Sequence, residues 1–379
     1  MAKIAFYAII LRHQVQSLPI EHGRHTGEAP HTNRVDSGTA ASALPWQREK
    51  ARFLFLTDSI LVCMNKGRDG RIKDMKIAIL GAGALGCYYG ARLAEAGHDV
   101  CFIMRSAYDA VAQNGLRINS IHGHLHLPTP HIARTPEACG PVDLVIVCWK
   151  ATCNHLLGHA LPPLLHRGTE VLTFQNGMGN AEAIAQVVAP ERVFVGLCFV
   201  CAMMNEPGVI EHSEKGDIQM APYICTESGF CRAQQLAALF QGTPVNTACF
   251  EHAERILWCK LSWNIPFNGL CLAHGGISIK QLFTMRAEVE RARRIMQEVC
   301  HTAELRGYPL PHEIVLQQME STAGMGDFIP SSAVDYNRHR PVEYEAIWGT
   351  PLRLALAANA RVPEWECLAA DIRARLSIA

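Results

Sequence analysis

The sequence predicts an α/β domain built on a largely parallel sheet, followed by an all-α domain. From Met75 to about residue 250, short apolar runs alternate with stretches of helical period. Beyond that point every long segment has helical period. A glycine-rich turn, GAGALG, joins the first apolar run to the first helical stretch. Strands linked through helices run parallel and are covered on both faces, which suits their unbroken apolar character.

Residues 1–74 stand apart. HGRHTGEAPHTNRVDSGTAASALP is polar and rich in Gly, Pro, Ser and Thr, so this part is expected to be a disordered or misassigned leader, with Met75 as the functional start. MAKIAFYAIILRHQ is only faintly like a signal peptide: its apolar stretch is short and no cleavage site follows. KIAIL then predicts a strand. ALGCYYGARLAEAG predicts a helix with Leu85, Tyr89 and Leu93 on one stripe and Gly97 as its stop. HDVCFIM, LVIVCW and VLTF are further strands, and VFVGLCFVCAMM is a buried one. LRINSIHGHLHLP and GVIEHSEKGDIQMA each read as a hairpin, and PVNTACF as the last strand. Helices are predicted over 252–272, 280–307, 311–322 and 342–360, with one more after Pro363. The domains are thus 75–250, α/β, and 251–379, helical.

Composition excludes several functions. The 379 residues carry 35 basic and 35 acidic side chains, a balance that favours neither nucleic acid nor an anionic membrane as partner. No apolar run reaches the ~18 residues of a membrane span. Fifteen scattered cysteines, an odd number, argue for reduced thiols and a cytoplasmic protein. Cys198 and Cys201 form a C-x-x-C inside an apolar run, where core thiols are the reading to prefer. His122, His124 and His126 alternate as if on one strand face. With no carboxylate or cysteine beside them they read as exposed hairpin histidines, and no metal is predicted.

Gly81, Gly83 and Gly86 form G-x-G-x-x-G between a strand and a helix, the context that makes this motif specific and the domain Rossmann-type. Gly81 permits the tight turn, Gly83 lets backbone N–H groups reach a pyrophosphate, and Gly86 lets helix and strand pack closely. Ala82, Ala84 and Leu85 complete the turn. An NAD site ordinarily places an acid after the second strand, for the ribose hydroxyls. Here that place holds Arg105, whose guanidinium suits a 2′-phosphate and therefore NADP(H).

ILWCKLSWNIPFNGLCL is the most informative helical segment. Lys260, Asn264 and Asn268 stand at i, i+4 and i+8, one polar stripe on a helix otherwise apolar nearly all round. A lysine in such surroundings has a partner or a task. Pro266 removes the backbone bond to Ser262 and should kink the helix within the stripe. Late in the chain, Glu343 begins a predicted helix, where capping and catalysis are equally open to it.

GAGALG, Arg105, QNGMG and K-x-x-x-N-x-x-x-N together resemble the ketopantoate reductase (2-dehydropantoate 2-reductase) family, over residues 75 to about 375. The resemblance implies reduction of ketopantoate to (R)-pantoate by NADPH, in pantothenate biosynthesis. It makes Lys260 the catalytic proton donor and Asn264 and Asn268 substrate contacts. It also places Lys150 of CWKAT and Asn176 of QNGMG beside the cofactor, Ser332 or its neighbour Ser331 on the substrate, and Glu343 over both ligands. The expected partner is a small 2-keto acid, and a homodimer is compatible. The family commonly reads S-M-x-x-D before its acid; SSAVDYNRHRPVEYE departs from that, and the serine register is open by one residue. Trp263 and Phe267 beside the asparagines would suit a larger 2-keto acid. A β-hydroxyacid dehydrogenase-type enzyme is the first alternative, although its Ser-Gly-Gly turn does not occur here. A non-catalytic NADP(H) sensor is the second, although a sensor has no need of the lysine–asparagine stripe.

Overall fold

Ile77 and Ile79 face one side of the central strand and Ala78 and Leu80 the other, and all four are buried. Both faces of this strand are therefore covered, as its apolar run requires. The computed structural model describes residues 75–378; the leader expectation lies outside the described residues. The strands are β1 (Lys76–Leu80), β2 (Asp99–Ile103), β3 (Leu116–Ser120), β4 (Leu125–Leu127) and β5 (His131–Ala133), followed by β6 (Leu144–Val147), β7 (Glu170–Thr173), β8 (Val193–Glu206), β9 (Val209–Pro222) and β10 (Thr247–Cys249). They form one ten-stranded sheet in the order β4-β3-β9-β8-β7-β6-β1-β2-β5, with β10 paired to β9. From β8 to β5 every neighbouring pair is parallel. Helix α1 (Ala84–Glu95) packs on one face, through Tyr89 and Leu93 against Ile77 and Ile79.

The sheet departs from expectation beyond β8. GVIEHSEKGDIQMA is not a hairpin on itself; it is most of the single strand β9, antiparallel to β8. The turn between them falls at Pro207 and Gly208, the latter at φ +82°. Alternation shows that a segment is a strand but not which partner it takes, and two 14-residue partners bury more backbone than two short hairpins. The histidines do not share a strand face either. Only His126 lies in a strand; His122 and His124 occupy the turn before it, and His122 packs its ring on His212.

The helical part contains α2 (Ala253–Trp263), α3 (Gly269–Ala273), α4 (Arg286–Leu305), α5 (Ile314–Ala323), α6 (Ser331–Asn337), α7 (Thr350–Ala357) and α8 (Pro363–Leu376), with a short turn at Ile279–Phe283. Three of the predicted helices are interrupted or shortened. The first passes through a π-helical turn, Asn264–Asn268, where Pro266 has no N–H to give. The second breaks between Phe283 and Arg286. The fourth opens with another π-helical turn, Glu345–Gly349. Trp348 of that second turn donates its indole N–H to Ile265 O of the first at 3.0 Å, so the two irregular turns are tied together. Among the described residues no helix is long and apolar enough to cross a membrane.

Candidate active site

The glycine turn takes the conformation its sequence demands. Gly81 sits at φ +92°, and a Cβ there would lie 2.6 Å from Trp149. A Cβ on Gly86 would meet Gly81 O and Ile79 at 2.8 Å, so the helix approaches the strand as closely as glycine allows. Gly83 differs. A Cβ there meets nothing within 4 Å, so the turn is open on that side. Helix α1 has no side-chain cap and no acid in its first turn, leaving its positive end to an anion. Ala82 donates its N–H to Ile103 O at 3.0 Å, and Ala84 and Leu85 open the helix. Arg105, two residues past β2, is exposed. An open glycine cradle and an uncapped helix end fit the pyrophosphate of a nicotinamide dinucleotide.

Lys260 comes from α2 and reaches across to the sheet. Its ammonium donates to Asn176 Oδ1 at 2.6 Å and to Cys198 O at 2.9 Å, with the Phe199 ring 5.3 Å away. Burial pulls its pKa down to about 8; Lys215 pulls the same way, and the Cys198 thiol and Glu343 carboxylate pull back. Asn176 belongs to the turn after β7. Gly177 beside it sits at φ +81°, where a Cβ would come within 2.1 Å of Ala346 O. Met178 N–H donates to that same carbonyl at 2.8 Å. The QNGMG turn is thus pressed onto the second π turn, and a glycine makes the approach possible.

The asparagine stripe divides its work. Asn264 and Asn268 are 7% and 1% exposed, and Asn268 Nδ2 donates to Asn264 Oδ1 at 3.3 Å. Asn268 Oδ1 accepts the Ser332 N–H at 3.1 Å and the Ser331 hydroxyl at 3.5 Å. Asn268 therefore orders Asn264 and the start of α6. The two serines differ: Ser332 is buried and meets Asn268 through its backbone, whereas Ser331 is exposed. Trp263 and Phe267 turn away from the stripe into the helical core. Phe267 is fully buried and stacks on Phe283, and Trp263 donates to Thr322 Oγ1 at 2.8 Å.

Lys150 and Glu343 meet each other. The half-buried Lys150 ammonium pairs with Asp335 and lies 3.5 Å from Glu343, and Glu343 also accepts the Ala151 N–H at 2.7 Å. Burial pulls the Lys150 pKa down, but the Glu343 and Asp335 carboxylates outweigh it and hold it above the ordinary value. Glu343 spends its carboxylate on the α/β part rather than on its own helix end. Asp335 does not stand out in the sequence. Its signal is its place one helical turn beyond Ser331 and Ser332, as the acid of SSAVD. Among the described residues no metal-ligating group of three forms, and Cys198 and Cys201 are free thiols on β8.

Comparison with known proteins identifies the family. The family model described as ketopantoate reductase PanE/ApbA matches residues 77–224, and the model of its C-terminal part matches residues 252–375. A 2-dehydropantoate 2-reductase of Nostoc sp. is 34% identical over 300 residues, 78% of this chain and 94% of the relative. The crystal structure of 2-dehydropantoate 2-reductase from Geobacter metallireducens matches with a TM-score of 0.76 at 37% identity, covering 79% of this chain and 99% of that one. D-mandelate dehydrogenase, solved with NADH and anilino(oxo)acetate, shares the fold with a TM-score of 0.71 at 23% identity, covering 80% of this chain and 100% of that one. The chain belongs to the ketopantoate reductase family of oxidoreductases.

Proposed function

We propose that the protein reduces 2-dehydropantoate to (R)-pantoate with NADPH, the reductive step toward pantothenate. The observation that carries this reading is Lys260, largely buried on the helical part yet bonded to Asn176 and Cys198 O of the α/β part. The relatives named as 2-dehydropantoate 2-reductases support the substrate, and exposed Arg105 where an NAD site would carry an acid supports NADPH.

In this reading Gly81 to Gly86 and the positive end of α1 hold the pyrophosphate, and Arg105 holds the 2′-phosphate. The cofactor, when bound, supplies the hydride that a 2-keto carbon requires. Lys260 supplies the proton. Its ammonium is lodged where burial favours giving the proton up, and it stabilises negative charge developing on the keto oxygen as it does so. Asn264 orients the substrate, held in place by Asn268, and Ser331 offers its hydroxyl from the mouth of the site. Lys150, Asp335 and Glu343 hold the helical part against the α/β part, which keeps water from the reacting atoms. Trp263 and Phe267 face the core, so they give no argument for a larger acid.

The test is single-turnover oxidation of NADPH with 2-dehydropantoate beside a panel of other 2-keto acids. The highest kcat/KM is expected for 2-dehydropantoate. A larger value for an aromatic or unbranched 2-keto acid would reassign the substrate.

A further inference from the structure

A chain of amide side chains lies beneath the QNGMG turn, beyond the residues that hold substrate and cofactor. Asn154, in the 3-10 turn Ala151–Leu156 after β6, accepts at Oδ1 from Gln175 Nε2 at 2.7 Å and from Trp149 Nε1 at 3.3 Å. Its Nδ2 donates to Asn180 Oδ1 at 2.8 Å, and Asn180 Nδ2 donates to Asn176 O at 2.9 Å. Gln175 Oε1 in turn accepts from Thr173 Oγ1 at 3.0 Å. Gln175 and Asn180 are each 4% exposed.

Both ends of this chain are chemically fixed. An indole N–H can only donate and a backbone carbonyl can only accept. Trp149 therefore sets which side of Asn154 is oxygen, Asn154 sets Asn180, and Asn180 must present its N–H₂ group to Asn176 O. The orientation of every amide follows from its neighbours. One end, Trp149, packs against Gly81 of the glycine turn. The other end is Asn176, whose Oδ1 accepts from the Lys260 ammonium.

We infer that Asn154 is a positioning residue for the reduction, holding Asn176 in register with Lys260 and tying that register to the glycine turn. The inference rests on the reading of Lys260 as the proton donor. Asn154 acts on Asn176 through Asn180, and directly on Gln175, the residue before Asn176 in the turn.

Asn154→Leu is the decisive variant, because leucine keeps the volume and removes both the donor and the acceptor. Losing the Asn176 acceptor disfavours the charged ammonium, so the Lys260 pKa should fall further. The alkaline limb of kcat in the reduction direction should move to lower pH by about half a unit or more. At its optimum kcat should drop about five-fold or more, as expected for a displaced catalytic group. Trp149→Phe, which removes one of the two fixed ends and one of the two bonds to Asn154 Oδ1, should shift the limb the same way by less. Thermal unfolding of each variant confirms that the folded enzyme is being assayed, and if Asn154→Leu does not fold, Trp149→Phe carries the test alone. An unmoved limb in folded protein overturns the inference. If the wild-type limb persists in Lys260→Ala, the reading of Lys260 has failed instead, so the two failures are distinguishable.

Discussion

At the residue scale, Lys260 and Arg105 show what local sequence reveals. A lysine among Leu257, Trp258, Leu261 and Ile265 is conspicuous because burying a charge without a partner is costly, and the structure supplies Asn176 and Cys198 O as partners. Those partners were not legible, since they stand 84 and 62 residues away and only the fold brings them together. Asp335, Asn154 and Asn180 were not singled out for a related reason: their partners Lys150, Asn180 and Asn154 stand on other elements, which only the fold brings together. The Lys260 pKa of about 8 fixes a pH dependence. A proton donor works only while protonated, so reduction should be full below that value and fall as pH rises through it. A kcat profile from pH 6 to about 10 checks this, and a flat profile would count against it. Arg105→Asp should weaken NADPH about ten-fold or more, replacing an attraction to the 2′-phosphate with repulsion, and should affect NADH far less. Equal weakening of both cofactors in parallel titrations would make Arg105 a structural residue.

At the scale of elements, the glycines separate roles that look alike in the text. Gly83→Ala should fold with wild-type stability, because its φ of −83° suits any residue and the added methyl meets nothing. It should nevertheless weaken NADPH about ten-fold, by standing where the pyrophosphate approaches the turn. Gly177→Ala should do the reverse. It should cost about 2 kcal/mol or more in stability, since its methyl would collide with Ala346 O and its φ is left-handed. Thermal melts alongside cofactor titrations separate the two outcomes. The parallel strands and long helices were readable because each declares itself through its own period. The β8–β9 pairing, the two π turns and α6 were not. Pairing partners, the bond from Trp348 to Ile265 O that ties the two π turns, and a short helix begun by Ser331 on Asn268 are all decided by contacts distant in sequence.

At the scale of the molecule, the proposed reaction requires the glycine turn of the sheet and the Lys260 helix to meet. The contacts that join them include Lys260 on Asn176 and Cys198 O, Lys150 on Asp335 and Glu343, Ala151 N–H on Glu343, and Met178 on Ala346 O, beside the packing of Ala253 and Ile256 on the sheet. Glu343→Gln keeps the shape while weakening the pairing with Lys150, so it should raise KM for both ligands with little change in the melting temperature. A large loss of stability would instead make that contact part of the folding core. The central claim is that Lys260 gives the proton while the other side of the cleft holds the cofactor. The most direct measurement compares wild type with Lys260→Ala, taking NADPH affinity by titration and kcat across pH with 2-dehydropantoate. NADPH affinity should stay within about three-fold of wild type, while kcat falls by about 10²–10⁴ and the alkaline limb disappears. Near-normal kcat in Lys260→Ala, with the limb intact, would contradict it.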